Sequence, residues 1–297
     1  MEKQRINFDD QISRNKWKSV LLMFSVFVVI VLLGYVISYA FDPGYFFVIM
    51  ICATMFSLLY LMISYYNSDK IAIASVGAKE IKREGQYKQY YDLVEGLTIA
   101  SGLPMPRLYV MNSNQINAFA SGRDPHHSVV CVTEGALEKL DKKELEGVLA
   151  HELGHVASFD IRYMTLVAVM VGMISIISQM FLRSLWFGAG NDDRKNSSAA
   201  IFMIIGIVLA ILAPLVVSFV QLAISRKREF SADASSVKFT RYPPGLIGAL
   251  KKIKQENQRP DKKINKAVAP LFFANPFTEL GSTHPPIDKR IAVLEKM

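Results

Sequence analysis

His151-Glu152-Leu153-Gly154-His155 decides the reading of this 297-residue chain. Asp141 stands at an expected helix N-cap, and Glu144, three residues on, completes a capping-box pattern. Leu145, Val148, Leu149 and Val156 follow at spacings of three and four, so the run predicts a helix through the motif. On a helix, histidines four apart project from one face and can share a metal ion. Glu152, beside them, is placed to act as general base toward a water activated at that metal. Zinc peptidases need that arrangement. The competing reading is a helix with polar residues on a solvated face.

Composition bounds the setting. The chain is 51% hydrophobic and 20% charged, with mean hydropathy +0.25. Its apolar residues concentrate in four uncharged stretches: Ser19 to Phe41, Pro43 to Ser68, Tyr163 to Leu182, and Asn196 to Ser225. Each reaches the ~20 residues a helix needs to cross a hydrocarbon core. Buried core helices are the alternative, most serious for the last two, which contain Gln179, Pro214, Ser218 and Gln221. Ser38-Tyr39-Ala40 resembles a signal cleavage site, but the apolar region before it exceeds the roughly 7–15 residues of a signal peptide, so an uncleaved anchor is expected. Cys52 and Cys131, isolated from each other, form neither a disulfide framework nor a paired-cysteine metal site. The net charge of +8 fits loops at a membrane surface, and no aromatic-interleaved basic patch points to nucleic acid.

Charge placement orients the spans. Lys3, Arg5, Arg14, Lys16 and Lys18 precede the first, while the turn after it offers only Asp42. The positive-inside rule puts that N-terminal segment in the cytoplasm. Two crossings then return residues 69–162, with the His-Glu helix, to the cytoplasm. Two more end at Arg226-Lys227-Arg228, another basic cluster. The 183–195 loop fits less well, because Arg183, Arg194 and Lys195 would lie outside.

A catalytic zinc takes three protein ligands, so a third must be found. The remaining histidines are His126, His127 and His284, with the first two in a polar Gly-Arg-Asp-Pro loop. Among the acids, Glu229 and Asp233 stand four apart in Arg228-Glu229-Phe230-Ser231-Ala232-Asp233-Ala234, directly after the fourth apolar stretch. This spacing lets Glu229 bind metal while Asp233 orients a ligating histidine. It equally suits two acids balancing the Arg226 cluster, and spacing alone leaves both readings standing. Two candidate crossings separate His155 from Glu229, and that even number would bring them to the same side. At ~1.5 Å per helical residue the site would lie within roughly 12 Å of the membrane surface.

With these residues in place, the chain resembles the HtpX family of integral-membrane zinc metallopeptidases, relatives of the CAAX prenyl proteases. The matching residues are the motif at 151–155, the segment 229–234, Asn117-Ala118-Phe119-Ala120, and Ser282-Thr283-His284-Pro285-Pro286. The resemblance covers almost the whole chain. It implies one zinc ion per chain held by His151, His155 and Glu229, with Glu152 as catalytic acid and base. It implies endopeptidase action on membrane-protein or misfolded, unfolded polypeptide substrates, as part of membrane quality control. A multi-pass protein of the bacterial inner membrane follows, with its catalytic domain in the cytoplasm.

Arg107–Met111 and Ser128–Thr133 read as short strands, with Asn117–Ala120 between them as an edge strand. The resemblance makes Asn117, Ala118 and Phe119 substrate contacts by main-chain pairing. It also turns His284 and Arg290 toward the active site, where cations stabilise an oxyanion. The Lys-rich stretch 251–266 reads as a solvated face near anionic lipid.

The expected architecture is a mainly α membrane protein: four transmembrane helices with an α+β zincin-like (gluzincin) cytoplasmic catalytic domain. Residues 1–68 supply the N-terminal tail and two transmembrane helices, and 69–162 the first part of the catalytic domain. Residues 163–225 form a transmembrane hairpin, and 226–297 complete the domain with the third ligand. The lipid bilayer is a partner and nucleic acid is not. A non-catalytic, zinc-stabilised four-span scaffold or sensor is the alternative. Glu152 argues against it, since a structural site needs no general base. A narrow processing protease for lipidated peptides ranks lower, because four spans are too few for a large intramembrane chamber.

Overall fold

The computed structural model of the chain describes residues 8–40, 43–168, 226–256, 271–273 and 285–297. Two long helices come first. α1 (Phe8–Ala40) begins well before the apolar run, and α2 (Phe46–Tyr66) follows a single 3-10 turn at Pro43–Tyr45. Ile12–Leu32 and Phe46–Tyr66 are each long and apolar enough to cross a membrane. On α2, Phe47, Ile51, Met55, Phe56 and Leu59 are all exposed. An apolar face of this extent is stable against lipid, not water. One face of α1 is covered instead: Asn15, Ser19, Leu22, Val26 and Ile30 recur at helical spacing and are buried.

After α3 (Ser68–Val76) the chain builds a small sheet with helices around it. In order come β1 (Lys79–Glu80), α4 (Lys88–Ser101), β2 (Arg107–Met111), β3 (Ala118–Asp124), β4 (His127–Thr133), α5 (Glu134–Lys139) and α6 (Lys142–Ala157). Helix α7 covers 160–168. Across the undescribed stretch follow α8 (Arg226–Thr240), α9 (Pro243–Gln255) and α10 (Ile287–Leu294). The described chain is thus mostly helical. Strand order is β1-β2-β4-β3, with β2 parallel to β4 and the other pairs antiparallel.

Side-chain alternation along the strands splits the core into two layers. Leu108, Val110, Ala118, Ala120, Val130 and Val132 pack with Val94 and Leu97 of α4 and Leu149 and Leu153 of α6. Tyr109, Met111, Phe119, Val129 and Cys131 face the other way, onto Ala72 and Ile73 of α3 and onto Met164, Leu271 and Phe272.

Strand β3 is longer than Asn117–Ala120, because the turn-like residues after it remain in the ladder. Gly122 allows this: it sits at φ +142°, and a Cβ there would stand 2.2 Å from the His127 carbonyl oxygen. The third expected span begins inside the protein, since all of 163–168 is buried and Thr165 Oγ1 bonds Ser121 Oγ at 2.9 Å. The rest of that segment and the whole fourth one lie outside the described residues.

Candidate metal centre

Helix α6 is set by its cap. Asp141 accepts from the backbone N–H groups of Lys143 and Glu144, and the Glu144 carboxylate accepts from Asp141 N–H at 2.8 Å. The helix runs beneath the sheet and is buried from Gly147 to Val156. Helix α8 crosses it at small residues. A Cβ on Gly154 would stand 2.8 Å from Ser235 Cβ and 3.2 Å from Ala232 Cα, and Ser236 Oγ donates to the Gly147 carbonyl at 2.7 Å. This close crossing brings Glu229 onto the histidines.

His151, His155 and Glu229, all buried, offer ligand atoms that lie within 4.8 Å of one another. The two Nε2 atoms are 3.2 Å apart; Glu229 Oε2 is 3.8 Å from that of His151, and Oε1 is 3.6 Å from that of His155. Ligands about 2.0–2.1 Å from one ion at tetrahedral angles sit roughly 3.4 Å apart, so the spacing fits. Both imidazoles are held from behind. His151 Nδ1 meets Asp233 Oδ1 at 3.0 Å, and His155 Nδ1 meets Asp160 Oδ2 at 3.3 Å. In the neutral imidazole each carboxylate assigns the proton to Nδ1 and leaves Nε2 a lone pair aimed at the gap.

Charge gives a second test of fit. Glu152, Asp160, Glu229 and Asp233 are four buried carboxylates, and Arg228 and Arg290 are two buried guanidiniums. The difference is two negative charges, which one divalent cation neutralises. Burying that surplus without a cation is costly, and the titrating groups respond. Burial pushes Glu152 up to about 7. Burial alone would lower His155, but its hydrogen bond to Asp160 and the charge of Glu229 outweigh that and raise it to about 9. Burial lowers His151 to about 4, against the pull of Asp233. Desolvation raises Asp233, but the charge of Arg290 and the contacts with His151 and Arg290 together outweigh it and bring it to about 2.

Arg290 enters from α10 and is fully engaged. Its Nε donates to Asp233 Oδ2 at 3.0 Å and its Nη2 to Oδ1 at 2.6 Å, while Nη1 lies 3.6 Å from Glu229 Oε2. Phe273 packs edge-on against His151, with the Arg290 guanidinium over its ring at 4.6 Å. The Ala120 N–H donates to the Glu152 carboxylate.

The sequence-expected edge is placed beside the site but is not open along its whole length. Phe119 bridges Phe272 antiparallel, and the Phe273 N–H donates to the Ala118 carbonyl at 2.8 Å. Asn117, Ala118 and Phe119 are buried. His284 lies outside the described residues. Sequence reasoning missed Asp160 and Phe273. An acid one turn beyond the second histidine was a usable signal for Asp160; a Phe pair in an aperiodic stretch offered none for Phe273.

With this geometry established, known proteins provide a comparison. The family model described as Peptidase family M48 matches residues 82–297. A protein described as Protease HtpX homolog from Lactobacillus helveticus is 43% identical over 97% of this chain and 99% of its own length. The one from Thermoanaerobacter pseudethanolicus is 40% identical over 96% of both chains. Among solved structures, S. mikatae Ste24p aligns with TM-score 0.50 at 17% identity, covering 96% of this chain and 67% of that one, a likeness of fold alone. A match over most of its length, with near-full-length relatives at about 40% identity, means that the chain belongs to peptidase family M48, alongside the HtpX proteases.

Proposed function

We propose that this membrane-associated metalloprotease is a zinc endopeptidase, with His151, His155 and Glu229 as ligands and Glu152 as catalytic acid and base. The carrying observation is the convergence of those three donor groups beside buried Glu152, in a pocket short of two positive charges. When bound, zinc polarises a scissile carbonyl and acidifies water, chemistry for which an N,N,O donor set with a fourth position left over is suited. Asp233 and Asp160 hold the two imidazoles in the ligating tautomer. Arg290 fixes Asp233 and offsets charge at Glu229. Glu152 takes a proton at its carboxylate and delivers it to the leaving amine, and a pKa raised by burial suits both halves of that transfer.

We further read the chain as four-spanning with a gluzincin-type domain, divided at 68, 162 and 225. Its site would face the cytoplasm of a bacterial cell and clear membrane-protein or unfolded substrates for quality control. The basic residues 14–18 and 226–228 and the even crossing count support this. His284 is kept as a candidate oxyanion contact. A peptide paired with Asn117, Ala118 and Phe119 would take the Ala118 carbonyl from Phe273.

The test is Glu152→Gln in the purified full-length chain. It should retain one zinc per chain and lose casein cleavage by about 10²–10⁴-fold, the usual share of a general acid–base. Undiminished cleavage would remove the mechanism, and loss of zinc with activity would make Glu152 a ligand instead.

A further inference from the structure

Asn15 is a carboxamide on the buried face of α1, and its partners lie in the catalytic domain. Its Nδ2 donates to Asp160 Oδ1 at 2.6 Å and to the Ser158 carbonyl at 3.0 Å. Both partners are acceptors, so the amide orientation is settled by the contacts. Asp160 Oδ1 also faces Arg228 Nε at 3.5 Å, and Oδ2 takes the Ser158 hydroxyl at 2.8 Å together with His155 Nδ1. The Asn15 contact is the shortest of the four. Without it, Oδ1 is left with the longer 3.5 Å contact to Arg228, while Oδ2 keeps Ser158 and His155, so the carboxylate loses its tightest fixed point.

We propose that Asn15, on the first membrane helix, is a positioning residue of the metal centre, acting through Asp160 on the direction of His155 Nε2. The inference rests on His155 being a ligand. Simple docking of α1 would need an amide and any acceptor. Here the acceptor is the carboxylate that sets a candidate ligand, so the anchor helix and the metal centre share one hydrogen-bonded chain.

The experiment uses the full-length chain in detergent, stripped of metal and titrated with zinc against a chelating dye. Asn15→Leu should weaken zinc by about 3–10-fold, less than the roughly 10–100-fold typical of a direct partner such as Asp160. Asp160→Asn should show the larger loss, and Asn15→Leu added to it should cost little more, because the path is already cut. Leu22→Ala, which loosens the same α1 face without touching the amide, should leave zinc affinity unchanged. Equal weakening by Leu22→Ala and Asn15→Leu would reduce Asn15 to packing and overturn the proposal, as would full additivity with Asp160→Asn. If Asn15→Leu fails to fold, Asn15→Ala takes its place under the same outcomes. His155→Ala is the separate control. Zinc bound unchanged in that variant would sink the ligand reading and the role of Asn15 with it, whereas the Leu22→Ala and additivity outcomes overturn the role of Asn15 alone.

Discussion

At the scale of single residues, the site is a charge balance that protons and metal settle between them. Without metal, His155 is raised to about 9 and Glu152 to about 7, so near pH 7 the pocket holds one proton and part of a second. His151, lowered to about 4, contributes none above pH 5 or so. A divalent ion must displace what is there. The sign follows: a raised histidine pKa means that protons compete at neutral pH, so apparent zinc affinity rises with pH until about 9. Between pH 7 and 9 the apparent Kd should fall about tenfold per pH unit, and more steeply below 7, where Glu152 also holds its proton. Calorimetric titration at pH 8 in buffers of different ionisation heat should find about one proton released per zinc. Release near zero would show that His155 is neutral beforehand and that the surplus charge is met otherwise. The two candidate histidine ligands were legible because helical spacing places them about one turn apart, whereas spacing alone did not fix Glu229. Arg290 was legible as a cation near the site but not as the partner of Asp233, since no local spacing joins residues 57 apart.

Among the elements, the crossing of α6 and α8 decides whether a site exists. Glu229 reaches the histidines because Gly154 lets α8 approach to within a Cβ of contact. Gly154→Ala should force α8 outward, costing about 1–3 kcal/mol of stability, the usual range for overpacking. Because α8 carries both Glu229 and Asp233, zinc affinity should fall with stability, and Ser235→Gly added to it should restore part of both by removing the nearest obstructing atom. Thermal unfolding and zinc titration on the three variants check this; a Gly154→Ala protein with native zinc affinity would mean that α8 tolerates displacement. The sequence announced α6 through its capping box and apolar stripe, and α8 through its acids four apart. It did not announce the small-residue seam between them, because glycine and serine in a helix carry no periodic signal. The length of β3 was hidden for a related reason: Ser121-Gly122-Arg123-Asp124 has turn chemistry, and only pairing with β4 holds it extended.

For the whole molecule, the structure ties sidedness to a contact. Asn15 stands near the start of the Ile12–Leu32 span and bonds Asp160, the partner of His155. The site therefore sits at the end of the membrane helix where Arg14, Lys16 and Lys18 cluster. The contact fixes which end of the helix the site shares, and in our reading the positive-inside rule assigns that end to the cytoplasm. The two apolar N-terminal helices were legible from length and hydropathy. Residues 163–168 are buried within the protein, and an apolar run does not by itself distinguish lipid from core. On the proposed topology, with the catalytic domain cytoplasmic and a hairpin at 163–225, an impermeant maleimide added to intact cells should not reach Asn257→Cys. In the same Cys52- and Cys131-free background it should modify Asn191→Cys, in the loop between the two apolar stretches. Protection at 191 would favour a hairpin that enters and leaves from one side. Labelling at 257 would place Glu229 and the histidines outside the cell, and the cytoplasmic role would fall while the metal chemistry stood.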